Sequence, residues 1–392
     1  MLGVSLEAIE TDQAWFLFDN GETKAVAAML RYAAAHDAQR LADLDFRIVL
    51  SGAALDARGQ EPFCHYSDRL IDFSTLGVEE QVDRFWKRDA SLSSDSLQRI
   101  CNAIHVRKKV FAGASCVALG QILKKYRMNH DHLRTIAYRD SISPEGITDY
   151  FPIAQQVCAQ ADGVFVSSEA VAQTIGLHAV VVGHPELEEW EAFRQSTLRH
   201  QVMRQMGLPQ DDRPIVLYAG VYGDHYAEDF RLFLEVAQSA FFQRWNPQVL
   251  IAPHPRHCGA VEHTLCEELA SAVSRDWLFS TQRAFSSKEA LQVADVLITA
   301  DPTSTMVFHA KAAGKHVVQM SPYESPISRK MEAQGIFSCV RQEVDAERAL
   351  LSSPEERRSI FDLFGIPKGA SERMWSALSE DHKSILASFR RL

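Results

Sequence analysis

The stretch Val296–Met320, VLITADPTSTMVFHAKAAGKHVVQM, reads as strand, helix and strand in immediate succession. Val296–Thr299 is a short unbroken apolar run, the pattern of a strand covered on both faces. The turn Ala300-Asp301-Pro302-Thr303-Ser304-Thr305 then offers hydroxyl residues suited to cap a helix. The helix MVFHAKAAGK ends at Gly314, and His316–Met320 is the next apolar run. Such units build parallel sheets with helices packed on their faces.

The same alternation extends in both directions. Towards the N-terminus the apolar runs are Trp15–Phe18, Phe46–Leu50, Val110–Ala114, Thr135–Tyr138, Gly163–Val166 and Ala179–Val182, followed by Ile215–Ala219 and Val249–Ala252. The segments between them, such as Lys24–Ala35 and Ala227–Phe242, have helical periodicity. Strand signals are missing across Gly183–Arg213, which carries a charged helix and a Gly-Leu-Pro-Gln-Asp-Asp turn. The predicted architecture is therefore α/β. Two doubly wound, Rossmann-like parallel-sheet domains, 1–188 and 189–353, are expected to face a cleft. A helical segment, 354–392, is expected to pack back on them. Ligands of such folds sit beyond the carboxyl ends of the strands.

A chain of 392 residues, 46% apolar and 23% charged, is an ordinary globular chain and not a disordered one. Its formal charge of -10 and the lack of a long basic run argue against general nucleic-acid binding. Seven widely spaced cysteines without a CxxC pair suit a reducing compartment better than a disulfide framework or a cysteine zinc site. The N-terminus has neither the basic stretch nor the apolar core of a signal peptide, and no apolar run is long enough to span a bilayer. The expected location is the cytoplasm; peripheral membrane contact through a surface patch stays open.

The residues following the strands carry the candidate chemistry. Val249–Ala252 runs into Pro253-His254-Pro255-Arg256-His257, a stiff loop whose imidazole and guanidinium suit an anion. Thr303, Ser304 and Thr305 begin a helix, and a helix N-terminus attracts phosphate. Ile215–Ala219 leads into Gly220-Val221-Tyr222-Gly223, where glycines allow close backbone approach. In the first half, Asp19 and Glu22 follow one strand and Asp140 follows another. A transferase acting on a hydroxyl needs one such carboxylate as a base, and Asp140 is the first choice, ahead of Asp19 and Glu22. Each of these positions also has a plain structural use, as a helix cap or a polar turn. Asp43-Leu44-Asp45 precedes its strand and is a poor metal motif, so no metal site is assigned.

The stretch VLIAPHPRH … ALQVADVLITADPTSTMVFHAKAAGKHVV resembles the nucleotide-binding half of GT-B enzymes. It is most similar to CDP-glycerol glycerophosphotransferases and to CMP-sugar-using capsule and sialic acid transferases. The non-hydrolysing UDP-GlcNAc 2-epimerases share the architecture. The resemblance implies that His254, Pro255, Thr303, Ser304 and Thr305 hold donor phosphates without a metal or cofactor. The implied donor is a CMP-, CDP- or UDP-linked sugar or polyol, and the implied acceptor a glycan or other hydroxyl compound. This is the chemistry of bacterial surface-glycan synthesis.

Two departures stand out. His309 occupies the position at which many GT-B enzymes have an acidic ribose contact, and His316 replaces the usual proline after Gly-Lys. Glu324, after the next strand, is the alternative ribose ligand. The same scaffold admits two further readings: a sugar-nucleotide 2-epimerase, and a non-catalytic nucleotide-sugar-binding protein.

Overall fold

A computed structural model describes residues 8–78, 80, 88–130, 132–142, 150–175, 179–194, 198–254, 259–268, 277–280, 285–352 and 359–380. The chain forms two compact units. One takes in the chain up to Glu188 and again from Phe364; the other is Glu189–Leu363.

The first unit is built on seven strands: β1 (Ile9–Leu17), β2 (Phe46–Leu50), β3 (Leu70–Asp72), β4 (Ile104–Gly113), β5 (Arg134–Tyr138), β6 (Gly163–Val166) and β7 (Ala179–Val181). They are parallel, in the order β3-β2-β1-β4-β5-β6-β7. The second unit has six parallel strands: β8 (Ile215–Ala219), β9 (Gln248–Ala252), β10 (Leu278–Phe279), β11 (Val296–Thr299), β12 (His316–Met320) and β13 (Ser338–Val340). Their order is β10-β9-β8-β11-β12-β13. Each sheet is doubly wound, as the apolar runs predict. The winding reverses between β1 and β4 in the first unit and between β8 and β11 in the second. At such a reversal the two flanking loops diverge and leave a crevice at the carboxyl edge.

Alternation along β1 shows why the strand is apolar throughout. Ala14 and Phe16 enter a core on one face with Val110, Ala112, Leu119 and Ile122. Trp15 and Leu17 enter the opposite core with Met29, Phe46, Phe111 and Trp375. Trp15 stacks on Phe46 at 4.4 Å between ring centroids. Both β1 and β4 begin several residues earlier than their apolar runs. The extensions carry polar side chains with fixed partners: Asp12 pairs with Arg107 and Lys108, each at 2.8 Å, and the register between the strands shifts between Thr11 and Gln13. The edge strands β3, β10 and β13 have two or three residues each, too few to show any periodicity in sequence.

The helix Ala370–Ser379 returns to the first unit and buries Met374, Trp375 and Leu378 in the Trp15 core. The indole N–H of Trp375 donates to Asp37 at 2.9 Å. The end of this helix is held by the ammonium of Lys109, only 6% exposed, which donates to the carbonyls of Ala377, Leu378 and Glu380. A buried cation at a helix C-terminus satisfies carbonyls that have no partner within the helix.

Candidate functional site

In the first unit the candidate site is built at the β1/β4 reversal. Asp19 caps the helix Asn20–His36, and its Oδ1 accepts from the N–H of Gly21 at 2.9 Å. Glu22, three residues on, folds back to complete a capping box. Its Oε2 accepts from the N–H groups of Phe18 (2.8 Å) and Asp19 (3.2 Å), and its Oε1 from Ser115 (3.0 Å). Ser115 follows β4, so one carboxyl group ties the two diverging loops together. The arrangement requires Gly113: a Cβ there would fall 1.7 Å from the Glu22 carboxyl carbon. Asp140, after β5, lies against Gly21, where an added Cβ would meet its Oδ2 at 1.9 Å.

Asp19, Glu22 and Asp140 are thus brought together. Burial, then the charge of Asp19, pushes the Glu22 carboxyl up to about 8; Asp140 adds to this, and the Ser115 and Phe18 hydrogen bonds oppose it. Glu22 is fully buried, and that burial favours its protonated form. It serves as a clamp, while Asp140 is only half-buried and Asp19 is exposed.

Sequence reading missed other members of this cluster. His184 follows β7 and is buried. Its Nδ1 accepts from the N–H of Leu187 at 3.3 Å, so Nε2 carries the hydrogen and donates to the Asp140 carbonyl at 3.1 Å. Glu186 is buried and pairs with Lys24 at 3.6 Å. The Tyr138 hydroxyl, fully buried, is kept protonated by burial and by the charges of Asp140, Glu186 and Glu22. The available signal was His184-Pro185 directly after a strand, the same pattern as His254-Pro255. It went unread because Gly183–Arg213 reads as a break between domains.

In the second unit the loops after β8, β9, β11 and β12 form the carboxyl edge. Gly220 packs so closely that a Cβ would lie 2.7 Å from both the backbone nitrogen of His254 and the hydroxyl of Tyr226. The close approach at Gly220 is to the protein's own β9 loop. Beneath it, the Tyr226 hydroxyl donates to the buried carboxylate of Glu262. The rings of Tyr222 and His254 lie 5.8 Å apart, and Tyr222 is 60% exposed. Gly223 has open space around its Cα.

After β11, Asp301 accepts from both the N–H (2.7 Å) and the hydroxyl (2.8 Å) of Thr303. Ser304 is the N-cap of the helix Thr305–Ala312, with a long 3.4 Å bond to the N–H of Met306, and Thr305 is exposed. His309 is only 2% exposed and stacks on Trp190 at 5.5 Å. That burial packs the imidazole against the indole. Glu324 is exposed after β12 and pairs with Arg329 at 3.5 Å. Pro255 and Arg256 lie outside the described residues. The Nε2–H of His316 donates to the Ala349 carbonyl at 2.7 Å.

No family model and no curated protein matches the chain by sequence. Its fold is shared with solved structures. UDP-GlcNAc 2-epimerase from Methanocaldococcus jannaschii, solved with UDP-GlcNAc and UDP, is similar with a TM-score of 0.59 at 10% identity, covering 95% of this chain and 99% of that one. A glycosyltransferase from Rickettsia africae gives a TM-score of 0.57 at 11% identity, covering 97% and 99%. The wall teichoic acid polymerase TagF, soaked with CDPG, gives 0.50 at 9% identity, covering 97% and 89%. The chain thus has a GT-B-like fold, as the resemblance implies. Among the described residues no helix is long and apolar enough to cross a membrane.

Proposed function

We propose that this protein is a transferase that moves a glycosyl or polyol-phosphate group from a nucleotide-activated donor to an acceptor hydroxyl. The observation that carries the reading is the different chemistry of the two winding reversals. The second unit presents His254, the Thr303–Thr305 turn and a helix N-terminus, which are donors to negative charge. The first presents carboxylates, which take protons.

In this reading His254, Arg256 and the N–H groups and hydroxyls of Thr303–Thr305 stabilise the charge that develops on the phosphate leaving group. Asp140 takes the acceptor proton, with Asp19 as the second choice. Glu22, already protonated, holds the two loops of the first site in place. The reading needs no divalent metal, so EDTA is expected to leave nucleotide affinity unchanged. It fits the synthesis of surface glycans by a cytoplasmic enzyme.

Calorimetric titration with CMP, CDP, UDP and GDP tests it. At least one is expected to bind, and His254→Ala and Ser304→Ala are each expected to weaken that binding, by about 1–3 kcal/mol per lost charged or buried hydrogen bond. A folded sample that binds none of the four would overturn the reading.

A 2-epimerase on the same scaffold is the second reading. It is favoured by the gathering of Asp19, Glu22 and Asp140, since epimerisation needs carboxylates that exchange protons with a sugar carbon. Incubating UDP-GlcNAc without an acceptor separates the two, because an epimerase alters the sugar and a strict transferase leaves it intact.

A further inference from the structure

Glu262 is a second fully buried glutamate that ties two chain segments together at the carboxyl edge of a sheet. It lies on the helix Ala260–Glu268, which follows the β9 loop. Its Oε1 accepts from the hydroxyl of Tyr226, the first residue of the helix Tyr226–Gln238 after the β8 loop. Burial, then the neighbouring Tyr218 and Glu262, holds that phenol well above its usual value, so Tyr226 is the donor. Both groups press on Gly220. A Cβ on that residue would lie 2.7 Å from the Tyr226 hydroxyl, 3.0 Å from Glu262 Oε1 and 2.7 Å from the backbone nitrogen of His254. The N–H of Gly220 donates to the Ala252 carbonyl at 2.9 Å, which carries the β8–β9 pairing past the end of β8. The β9 loop is therefore pinned where it begins, at His254, and just after it ends, at Glu262, against one glycine.

The other oxygen of Glu262, Oε2, is buried and has no hydrogen-bond partner among the described residues. A carboxyl group kept out of water with half its capacity unmet costs free energy that an apolar side chain of similar volume would not. Glu22 offsets that cost with three backbone N–H groups, whereas the bond to Glu262 comes from one hydroxyl. Packing alone does not account for a carboxyl group at this position; holding the loop does. We propose that Glu262, acting through Tyr226, is a positioning residue of the second site: it fixes the β9 loop so that the His254 imidazole presents one orientation to the donor phosphate. This role rests on the donor reading above and adds to it the pair that sets the loop. Glu262 itself touches no ligand. Ser304, after β11, is held by its bond to Met306 of its own helix, so the two phosphate contacts are fixed independently.

The test is calorimetric titration of CMP, CDP, UDP and GDP into the intact protein and its Tyr226→Phe, Glu262→Met and Glu262→Gln variants, with thermal melts to establish folding. For the nucleotide that binds, Tyr226→Phe and Glu262→Met should each weaken affinity about threefold to tenfold, the range for one buried hydrogen bond. Glu262→Gln keeps an oxygen for the hydroxyl and should lose less than Glu262→Met. Two double variants separate positioning from packing. Added to His254→Ala, Tyr226→Phe should cause no further loss, because the side chain it positions is gone. Added to Ser304→Ala, it should cause its full loss, since that contact is held separately. Undiminished affinity in folded Tyr226→Phe and Glu262→Met overturns the role and leaves the donor reading standing. So do equal losses in the two double variants, which would mean general damage to the sheet edge. If the intact protein binds none of the four nucleotides, the donor reading falls and this role falls with it.

Discussion

Glu22 gathers a helix cap, a loop tie and a titration into one side chain. Its ordinary carboxyl value is 4.5 and burial beside Asp19 and Asp140 raises this to about 8. Between those values the folded chain keeps a proton that the unfolded chain has lost. The contribution to stability is complete below about pH 4.5 and disappears as the pH climbs through 8. Melting temperature measured from pH 5 to 8.5 is expected to fall on this account, and Glu22→Gln, which cannot ionise, should flatten the slope. A slope of the opposite sign that persists in Glu22→Gln would contradict the assignment. Gly113→Ala addresses the same contact from the other side. Its methyl group would collide with the Glu22 carboxyl, and no small rotation of a fully buried side chain relieves it. We expect a loss of about 3 kcal/mol, the upper part of the range for overpacking, measured by urea denaturation.

At the level of the element, the helix Ala370–Ser379 illustrates how a remote residue can terminate secondary structure. Nothing in ASERMWSALS marks its end; Lys109, from β4, does so by taking up three carbonyls. Gln13, from β1, donates to Leu378 at 2.8 Å. Lys109→Met keeps the aliphatic stem and removes the donors. It should cost about 2–4 kcal/mol, since charged hydrogen bonds and a favourable helix-end charge vanish together. Chemical denaturation followed by circular dichroism would measure it. The helix Thr305–Ala312 behaves differently. Its cap bond is long, so Ser304→Ala should lower stability by no more than about 1 kcal/mol. A change in nucleotide affinity in that variant would then report ligand contact and not helix loss.

For the molecule as a whole, the first unit is discontinuous in sequence: its core is completed by chain that returns after the second unit has been made. Ending the chain before Phe364 removes Met374, Trp375 and Leu378 from the core shared with Trp15 and Phe46, and leaves Lys109 without its acceptors. Hydrogen exchange on the truncated protein should show protection lost in β1, β4 and the helix Asn20–His36, with β8, β9, β11 and β12 retaining theirs. Loss of protection in both units alike would show that the second core depends on the first, contrary to the separate clusters of buried side chains observed.

What the amino-acid order determines unaided is the period of the pattern. Runs such as FRIVL and VLIT read as strands covered on both faces, and alternation with helices points to parallel pairing; the central strands of both sheets were legible for that reason. The edge strands β3, β10 and β13 were not, because two or three residues carry no period, whereas the edge strand β7 showed as part of the four-residue run Ala179–Val182. Residues at strand ends were legible as candidates, since a doubly wound sheet puts its ligands there. Their individual roles were decided by the tertiary structure. Glu22 and Asp140 are identical in kind as carboxylates, and His254 and His309 as imidazoles. Burial separates them: Glu22 is sealed under backbone N–H groups and His309 under Trp190, while Asp140 and His254 keep access to solvent. Desolvation is a property of the neighbours that the fold supplies, and it is the neighbours that set whether a group ionises or binds.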